Sequence, residues 1–164
     1  MSAQKVAIGV IGGSSADEET LHLAYDVGMH CANNDAVLVC GGLGGVMEWA
    51  SRGAADNGGL VVGILPGEDR NAANPFVNIA IPTGMGIGRN IFVVRTSDVL
   101  IAFPGSYGTL SEIAFALNSG KTVIYLPGAW NLKKIGKVDG ALFKEAFNAA
   151  QAVGFALNAL VKEV

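Results

Sequence analysis

Arg95-Thr-Ser-Asp-Val-Leu-Ile-Ala-Phe-Pro-Gly-Ser-Tyr-Gly-Thr-Leu-Ser-Glu112 carries the pattern on which the reading of this chain turns. Val99 to Phe103 is apolar throughout, as in a strand covered on both faces of a parallel sheet. Pro104 and Gly105 end that strand, and Gly108 lets the backbone pass close to a neighbour. Thr109 is the predicted N-cap of the next helix, with Glu112 three residues on as its capping-box partner. A strand, a glycine turn and a helix start leave unpaired N–H groups where the helix dipole is positive, which favours an anion. On this stretch alone, a Glu112 that only closes the cap is the favoured reading.

Two more glycine turns follow predicted strands upstream. Residues 5–11 lead into Gly12, Gly13, Ser14 and Ser15, and residues 36–40 lead into Gly41, Gly42, Leu43, Gly44 and Gly45. Further strands are predicted over 60–65, 77–81, 98–103 and 122–126, and helices over 17–33, 46–56, 87–96, 109–119 and 141–152. Residues 66–75 and 127–139 read as irregular loops, the first placed to arch over a site. Alternating strands and helices predict an α/β fold, a Rossmann-like doubly wound parallel sheet with helices on both faces. Ligands of such sheets bind beyond the carboxyl ends of the strands, where strand order reverses, and all three glycine turns are expected at that edge.

The whole chain bounds the function. Its 164 residues are 51% hydrophobic with 23 glycines, which suits one domain over residues 1–164 with tight turns, and not a solvated chain. No apolar run reaches the length of a membrane span, and the start of the chain lacks a signal-peptide layout, so a cytoplasmic protein with no membrane partner is expected. A formal charge of −3 and a pI near 5.3 argue against a nucleic-acid partner. Cys31 and Cys40 form no CxxC pair, and His22 and His30 are spaced wrongly for one metal, so no protein metal site is expected. Cys40 reads as a small buried hydrophobe, and Trp49 and Trp130 as packing or interface residues.

At the three turns, backbone donors combine with hydroxyls of Ser14, Ser15, Ser106 and Thr109 to make a phosphate cradle. Arg89 is the natural counter-charge, offset by a ligand anion or by Glu112, whereas Arg95 reads as a solvent-exposed arginine. No GxGxxG with a following acidic residue and no Walker A lysine is present, so neither a dinucleotide site nor a P-loop is supported. A phosphate-bearing small molecule is the expected partner, and the outward apolar helix face with Phe115 and Leu117 points to a homo-oligomer, dimer or tetramer.

Pro104-Gly-Ser-Tyr-Gly-Thr-Leu-Ser-Glu112 resembles the PGGxGTxxE signature of the lonely guy family, often labelled lysine decarboxylase-like. Gly12 to Ser15 looks like that family's CGSS turn, Gly41 to Met47 like its GGxxGLM turn, and Arg89 matches the position of its arginine. The resemblance covers most of residues 5–126. In the enzymes of the family the matching arginine and glutamate cleave the N-glycosidic bond of nucleoside 5′-monophosphates, which would make Arg89 and Glu112 catalytic here. The chain departs from those enzymes at Asn90, Ser106, Ser111 and Glu48, where they have lysine, glycine, glutamate and glycine. The Gly88-Arg89-Asn90 run and the chain length are more similar to the molybdenum cofactor carrier branch, whose members hold a phosphorylated pterin without turnover. That resemblance implies a carrier of the molybdenum cofactor (molybdopterin). Gly12, Gly13, Ser14, Ser15, Gly41, Gly42, Leu43, Gly44, Gly45, Arg89, Asn90, Gly105, Ser106, Tyr107, Gly108, Thr109 and Glu112 would form its site. The alternatives are the phosphoribohydrolase and a nucleotide-binding regulatory protein.

Overall fold

Short runs of apolar, largely β-branched residues form the centre of the sheet, and they need cover on both sides. In a computed structural model that describes residues 4–134 and 138–161, the strands are β1 (Ala7–Ile11), β2 (Val37–Cys40), β3 (Val61–Leu65), β4 (Ile79–Pro82), β5 (Val99–Ala102), β6 (Val123–Tyr125) and β7 (Phe143–Glu145). They form one sheet in the order β4-β3-β2-β1-β5-β6-β7, and every neighbouring pair is parallel. The helices are α1 (Glu18–Asn33), α2 (Val46–Asp56), α3 (Asn90–Thr96), α4 (Tyr107–Asn118) and α5 (Ala149–Asn158). The Rossmann-like α/β architecture read from the sequence is the one observed.

Strand residues alternate between two core layers. Ile8, Val10, Leu38, Cys40, Ile101 and Phe103 face α1, α2 and α5, while Ile11, Val39, Ile64, Leu100, Ala102 and Tyr125 face α3 and α4. Strand order reverses between β1 and β5, so the turns after these two strands diverge to opposite sides and leave a crevice.

The end of the chain differs from expectation. The helix predicted over 141–152 is helical only from Ala149: Phe143, Lys144 and Glu145 add the edge strand β7, with Phe143 opposite Val123. Phe143 is fully buried and stacks on Tyr125 with ring centroids 4.4 Å apart, while Lys144 and Glu145 are exposed. The helix starts later, at Ala149. Asn148 accepts from the Gln151 amide and Gln151 accepts from the Phe147 amide, both at 2.8 Å, a reciprocal cap visible in the sequence as Asn148-x-x-Gln151. Two of the predicted loops contain single 3-10 turns, at Arg70–Ala72 and Leu132–Lys134, and residues 135–137 lie outside the described residues. The predicted helix over 87–96 divides into a 3-10 turn, Gly86–Arg89, followed by α3.

Helices α1 and α2 touch backbone to backbone. A Cβ on Gly28 would lie 1.9 Å from the Ala50 carbonyl oxygen, and one on Gly53 would lie 1.9 Å from that of Tyr25. This mutual contact seats α2 closely against α1 and so places the glycine turn that precedes α2. Gly53→Ala is therefore expected to lower unfolding stability by about 1–3 kcal/mol, the usual cost of forcing atoms into a packed contact. Gly154→Ala, in α5 where nothing lies within 4 Å of the new Cβ, should be neutral or raise stability by up to ~1 kcal/mol. Urea denaturation of the two variants beside the parent checks this, and equal losses would refute the close-contact argument.

Candidate functional site

The three glycine turns meet at the carboxyl edge of the sheet. The Gly13 amide donates to the Pro104 carbonyl at 2.9 Å, and the Gly13 carbonyl accepts from the Val46 amide at 3.0 Å. One peptide residue thus links the turn after β1 to the turn after β5 and to the start of α2. The approach is close enough to require glycine at position 45, whose φ is +64° and whose added Cβ would lie 2.4 Å from the Gly13 oxygen.

Between the turns lies a cleft of about 320 Å³. Gly12, Gly13, Ser14, Gly41, Leu43, Arg89, Asn90, Ser106, Gly108, Thr109 and Glu112 of the expected site line it. Gly42, Gly44, Gly45 and Tyr107 belong to the same turns but do not line the cleft, and Tyr107 is 82% exposed. Ser15 and Gly105 face a second, larger depression of about 1,130 Å³ beside the start of α1. Asp17, Glu18, Glu19 and Asp26 line that depression. Carboxylates in such number oppose an anion, so the smaller cleft with Arg89 suits a negative charge better. Sequence reasoning missed Met47, Pro66, Gly86 and Ile87 on the cleft wall. Pro66 and Gly86 are joined by a 2.9 Å backbone hydrogen bond between two loops, a long-range pairing with no local signal. Met47 follows Val46 within a turn that the sequence did mark.

The amides of Leu43, Gly44 and Gly45, and those of Tyr107, Gly108 and Thr109 in the first turn of α4, have no hydrogen-bond partner among the described residues. They are the donors that the glycine-turn pattern promised.

Helix α4 begins two residues before the expected point. Ser106 is its N-cap and makes no side-chain capping bond, so the predicted capping box of Thr109 with Glu112 does not form. Thr109, Glu112, Ile113 and Ala116 are instead the buried stripe of the helix, at positions i, i+3, i+4 and i+7. Burial against the sheet edge turns Thr109 and Glu112 inward, where neither reaches a terminal amide. Trp130 secures the entry to this helix: its indole N–H donates to the Gly105 carbonyl at 3.0 Å, beyond the packing role read from the sequence.

Arg89 reaches across the cleft floor. Its Nη1 donates to the carbonyls of Gly41 and Ile64, at the ends of β2 and β3, and its Nε donates to Asn90 Oδ1 at 2.8 Å. Asn90 in turn donates to Ser111 Oγ at 3.3 Å and to the Gly108 carbonyl at 3.4 Å, linking Arg89 to α4. Burial lowers the guanidinium's pKa, and the nearby Glu112 opposes that shift. Nη2 makes no hydrogen bond among the described residues, so it is the part of the guanidinium left for a ligand. Arg95 is exposed on α3, as expected.

Glu112 has no hydrogen bond and no ion pair within 4 Å among the described residues. Burial pushes its carboxyl up to about 8, and Arg89 only partly reverses this. At neutral pH the group is mostly a neutral acid that can donate a hydrogen bond. The site thus presents amide donors, part of a guanidinium and a carboxylic acid, a set that attracts an anion. Cys40 is buried beside the cleft. Its sulfur lies 3.4 Å from Ser51 Oγ and accepts from the Gly42 amide, and burial raises the thiol's pKa, which fits a packing role.

Comparison with known proteins agrees with this arrangement. The chain is 52% identical to an uncharacterized protein of Archaeoglobus fulgidus over 119 residues, which is 73% of this chain and 78% of that protein. Its fold matches the molybdenum cofactor binding protein of the phototrophic bacterium Rippkaea orientalis with a TM-score of 0.90 and 36% identity, covering 98% of this chain and 100% of that one. The Moco carrier protein of Chlamydomonas reinhardtii gives a TM-score of 0.88 and 34% identity, with 98% and 100% covered. A sequence profile of the SLOG cluster4 family, a lonely guy-like family, matches residues 5–156. With strands, turns and cleft residues all inside the matched span, the chain belongs to the SLOG cluster4 family.

Proposed function

We propose that this protein is a carrier that binds and protects the molybdenum cofactor without turning it over. The observation that carries the reading is the cleft itself. Leu43, Gly108 and Thr109, whose amides have no partner among the described residues, line one space at the carboxyl edge of the sheet with Arg89 and with Glu112, whose carboxyl burial pushes up to about 8. A terminal phosphate or a molybdenum oxo group is a hydrogen-bond acceptor, and all of these groups donate. The cofactor's own dithiolene holds the metal, so protein ligands are not required. No cluster of three or more His, Cys, Asp or Glu side chains arranged for a metal is found among the described residues. Likeness over the full chain to proteins described as binding or carrying this cofactor supports the same reading.

A second reading has its own observation: Arg89 and Glu112 line the same cleft, as a nucleoside 5′-monophosphate phosphoribohydrolase would need. The protonation of Glu112 weighs against it. A carboxylate that stabilises a cationic sugar and directs water must be ionised at the working pH, and burial raises the pKa of this one to about 8. The proposal extends to a homo-oligomer in a compartment that contains free cofactor. Phe92 and Phe115 are 38% and 42% exposed on α3 and α4. Leu117, expected on the outer face beside Phe115, packs instead against the inner core.

Anaerobic gel filtration with isolated molybdenum cofactor tests the carrier reading. Saturable retention near one cofactor per chain is expected, and a well-folded protein that retains none would sink the proposal. Arg89→Ala should weaken retention at least tenfold, or about 1.4 kcal/mol. Glu112→Gln, which keeps a hydrogen-bond donor, should retain cofactor within a few fold of the parent. Release of base from nucleoside monophosphates by the parent, abolished in Glu112→Gln, would instead establish the hydrolase.

The buried carboxyl also sets a pH dependence. Its pKa rises from 4.5 to about 8 on folding. The stability that accompanies the raised value is complete below the unfolded pKa and is lost as pH rises toward the folded one. Between about pH 4.5 and 8 the loss should approach ~1.4 kcal/mol per pH unit. Thermal unfolding at pH 5 and pH 8 should show Glu112→Gln gaining on the parent at the higher pH. An unchanged difference between the two proteins across that window would rule out the buried neutral acid.

A further inference from the structure

We infer that Asn74 is a positioning residue that sets the donor face of the glycine turn after β2; the inference rests on the anion-binding reading of the cleft. The loop that carries it, predicted to arch over the site, reaches the glycine turn from another side. Asn74 is 9% exposed and does not line the cleft. Its backbone amide donates to the Gly42 carbonyl at 2.8 Å, and its side-chain Nδ2 donates to the Leu43 carbonyl at 3.0 Å. The same Nδ2 lies 3.5 Å from Ser51 Oγ, while Oδ1 accepts from the Phe76 amide at 3.1 Å. Its carbonyl accepts from the Val77 amide at 3.2 Å, so all five hydrogen bonds of the residue are made within the protein, and two of them go to consecutive carbonyls of one turn.

The geometry of the peptide unit gives this its consequence. In a trans peptide the C=O and the following N–H point in opposite directions. Holding the Gly42 and Leu43 carbonyls toward Asn74 therefore turns the amides of Leu43 and Gly44 the other way. Those are two of the amides without a partner, and Leu43 is on the cleft wall. Gly42 has a φ of +76°, and such a glycine turn has alternative conformations close in energy. Its own amide is held by Cys40 Sγ at 3.4 Å, a weak bond that would not fix the turn alone. Asn74 supplies the stronger restraint. It holds the donors in place before any ligand arrives, as a preorganised site requires.

The test compares Asn74→Asp with Asn78→Ala. Asparagine to aspartate keeps the shape and the acceptor for the Phe76 amide but removes the donor to Leu43. Asn78 is the control: its Oδ1 accepts from the Val61 amide at 2.8 Å, at the amino end of β3 away from the cleft. Cofactor affinity is measured by anaerobic retention, phosphate affinity by titration with inorganic phosphate, and stability by thermal unfolding. Asn74→Asp should lose at least tenfold in affinity for both probes, while Asn78→Ala loses stability and stays within twofold of the parent. Asn74→Ser, a milder truncation that also removes the Leu43 contact, carries the same expectation should Asn74→Asp not fold. Parent-like affinity in the Asn74 variants, or an equal loss in Asn78→Ala, would overturn the inference. Amide hydrogen exchange at Leu43 and Gly44 supplies a readout that needs no ligand. It should change in the Asn74 variants and not in Asn78→Ala. If the parent binds neither probe, the carrier reading fails on its own, and unchanged exchange at those two amides would then overturn the positioning role separately.

Discussion

The Gly13 peptide is bonded on both sides, to Pro104 through its amide and to Val46 through its carbonyl. Each bond is ordinary in strength, worth about 1 kcal/mol net. Their importance is geometric. They join three chain segments far apart in sequence at the one place where a doubly wound sheet leaves a gap. The sheet sets the turns after β1, β2 and β5 side by side, and the two bonds of Gly13 draw them into contact. Joined, they enclose a common space into which the floor residue Arg89 and the wall residue Glu112 both reach.

Electrostatics inside that space depends on enclosure. Arg89 is committed to the carbonyl ends of two strands, so it acts partly as a structural cap for the sheet and only partly as a free charge. Glu112 is largely buried without a hydrogen-bond partner among the described residues, and burial raises its pKa to about 8. The raised pKa of Glu112 reduces the negative charge that faces Arg89 across the site. A dianionic phosphate meets little repulsion there. In the neighbouring depression beside α1, the same type of glycine turn is surrounded by four carboxylates and has the opposite character. Two adjoining hollows of one sheet edge thus differ in the sign of what they attract.

Much of this was legible in the residues. Val99 to Phe103, Val37 to Cys40 and the strand before Gly12 are apolar on both faces, and the glycines after them mark where strands give way to helices. Most of the expected site residues do line one cleft, because local strand–turn–helix units position them and the sheet brings the units together. The misreadings share a cause. Thr109 and Glu112 match a capping box by spacing, but a helix cap must face the helix end, and the packing of α4 turns both residues toward the sheet. Phe143 looked helical beside alanines, yet its place against Tyr125 recruits it to an edge strand. The cleft residues Pro66 and Gly86 depend on pairing between distant loops. In each case tertiary contact outweighs a local pattern that would have been sufficient in isolation.

The reciprocal contact of Gly28 with Ala50 and Gly53 with Tyr25 has an entropic meaning beyond its packing density. Two helices in backbone contact have little room to slide or rock, since every displacement brings main-chain atoms into collision and no side chain can yield. The turn that begins at Gly41 is thereby mounted on a support with few thermally accessible alternatives. A ligand entering the cleft need not select one arrangement of that turn from many, and little of its interaction energy is diverted to ordering the protein. The same stiffness restricts the shapes that fit. A support that resists deformation would discriminate by steric exclusion, so under the carrier proposal the two glycines in the helix interface would bear on selectivity from outside the cleft.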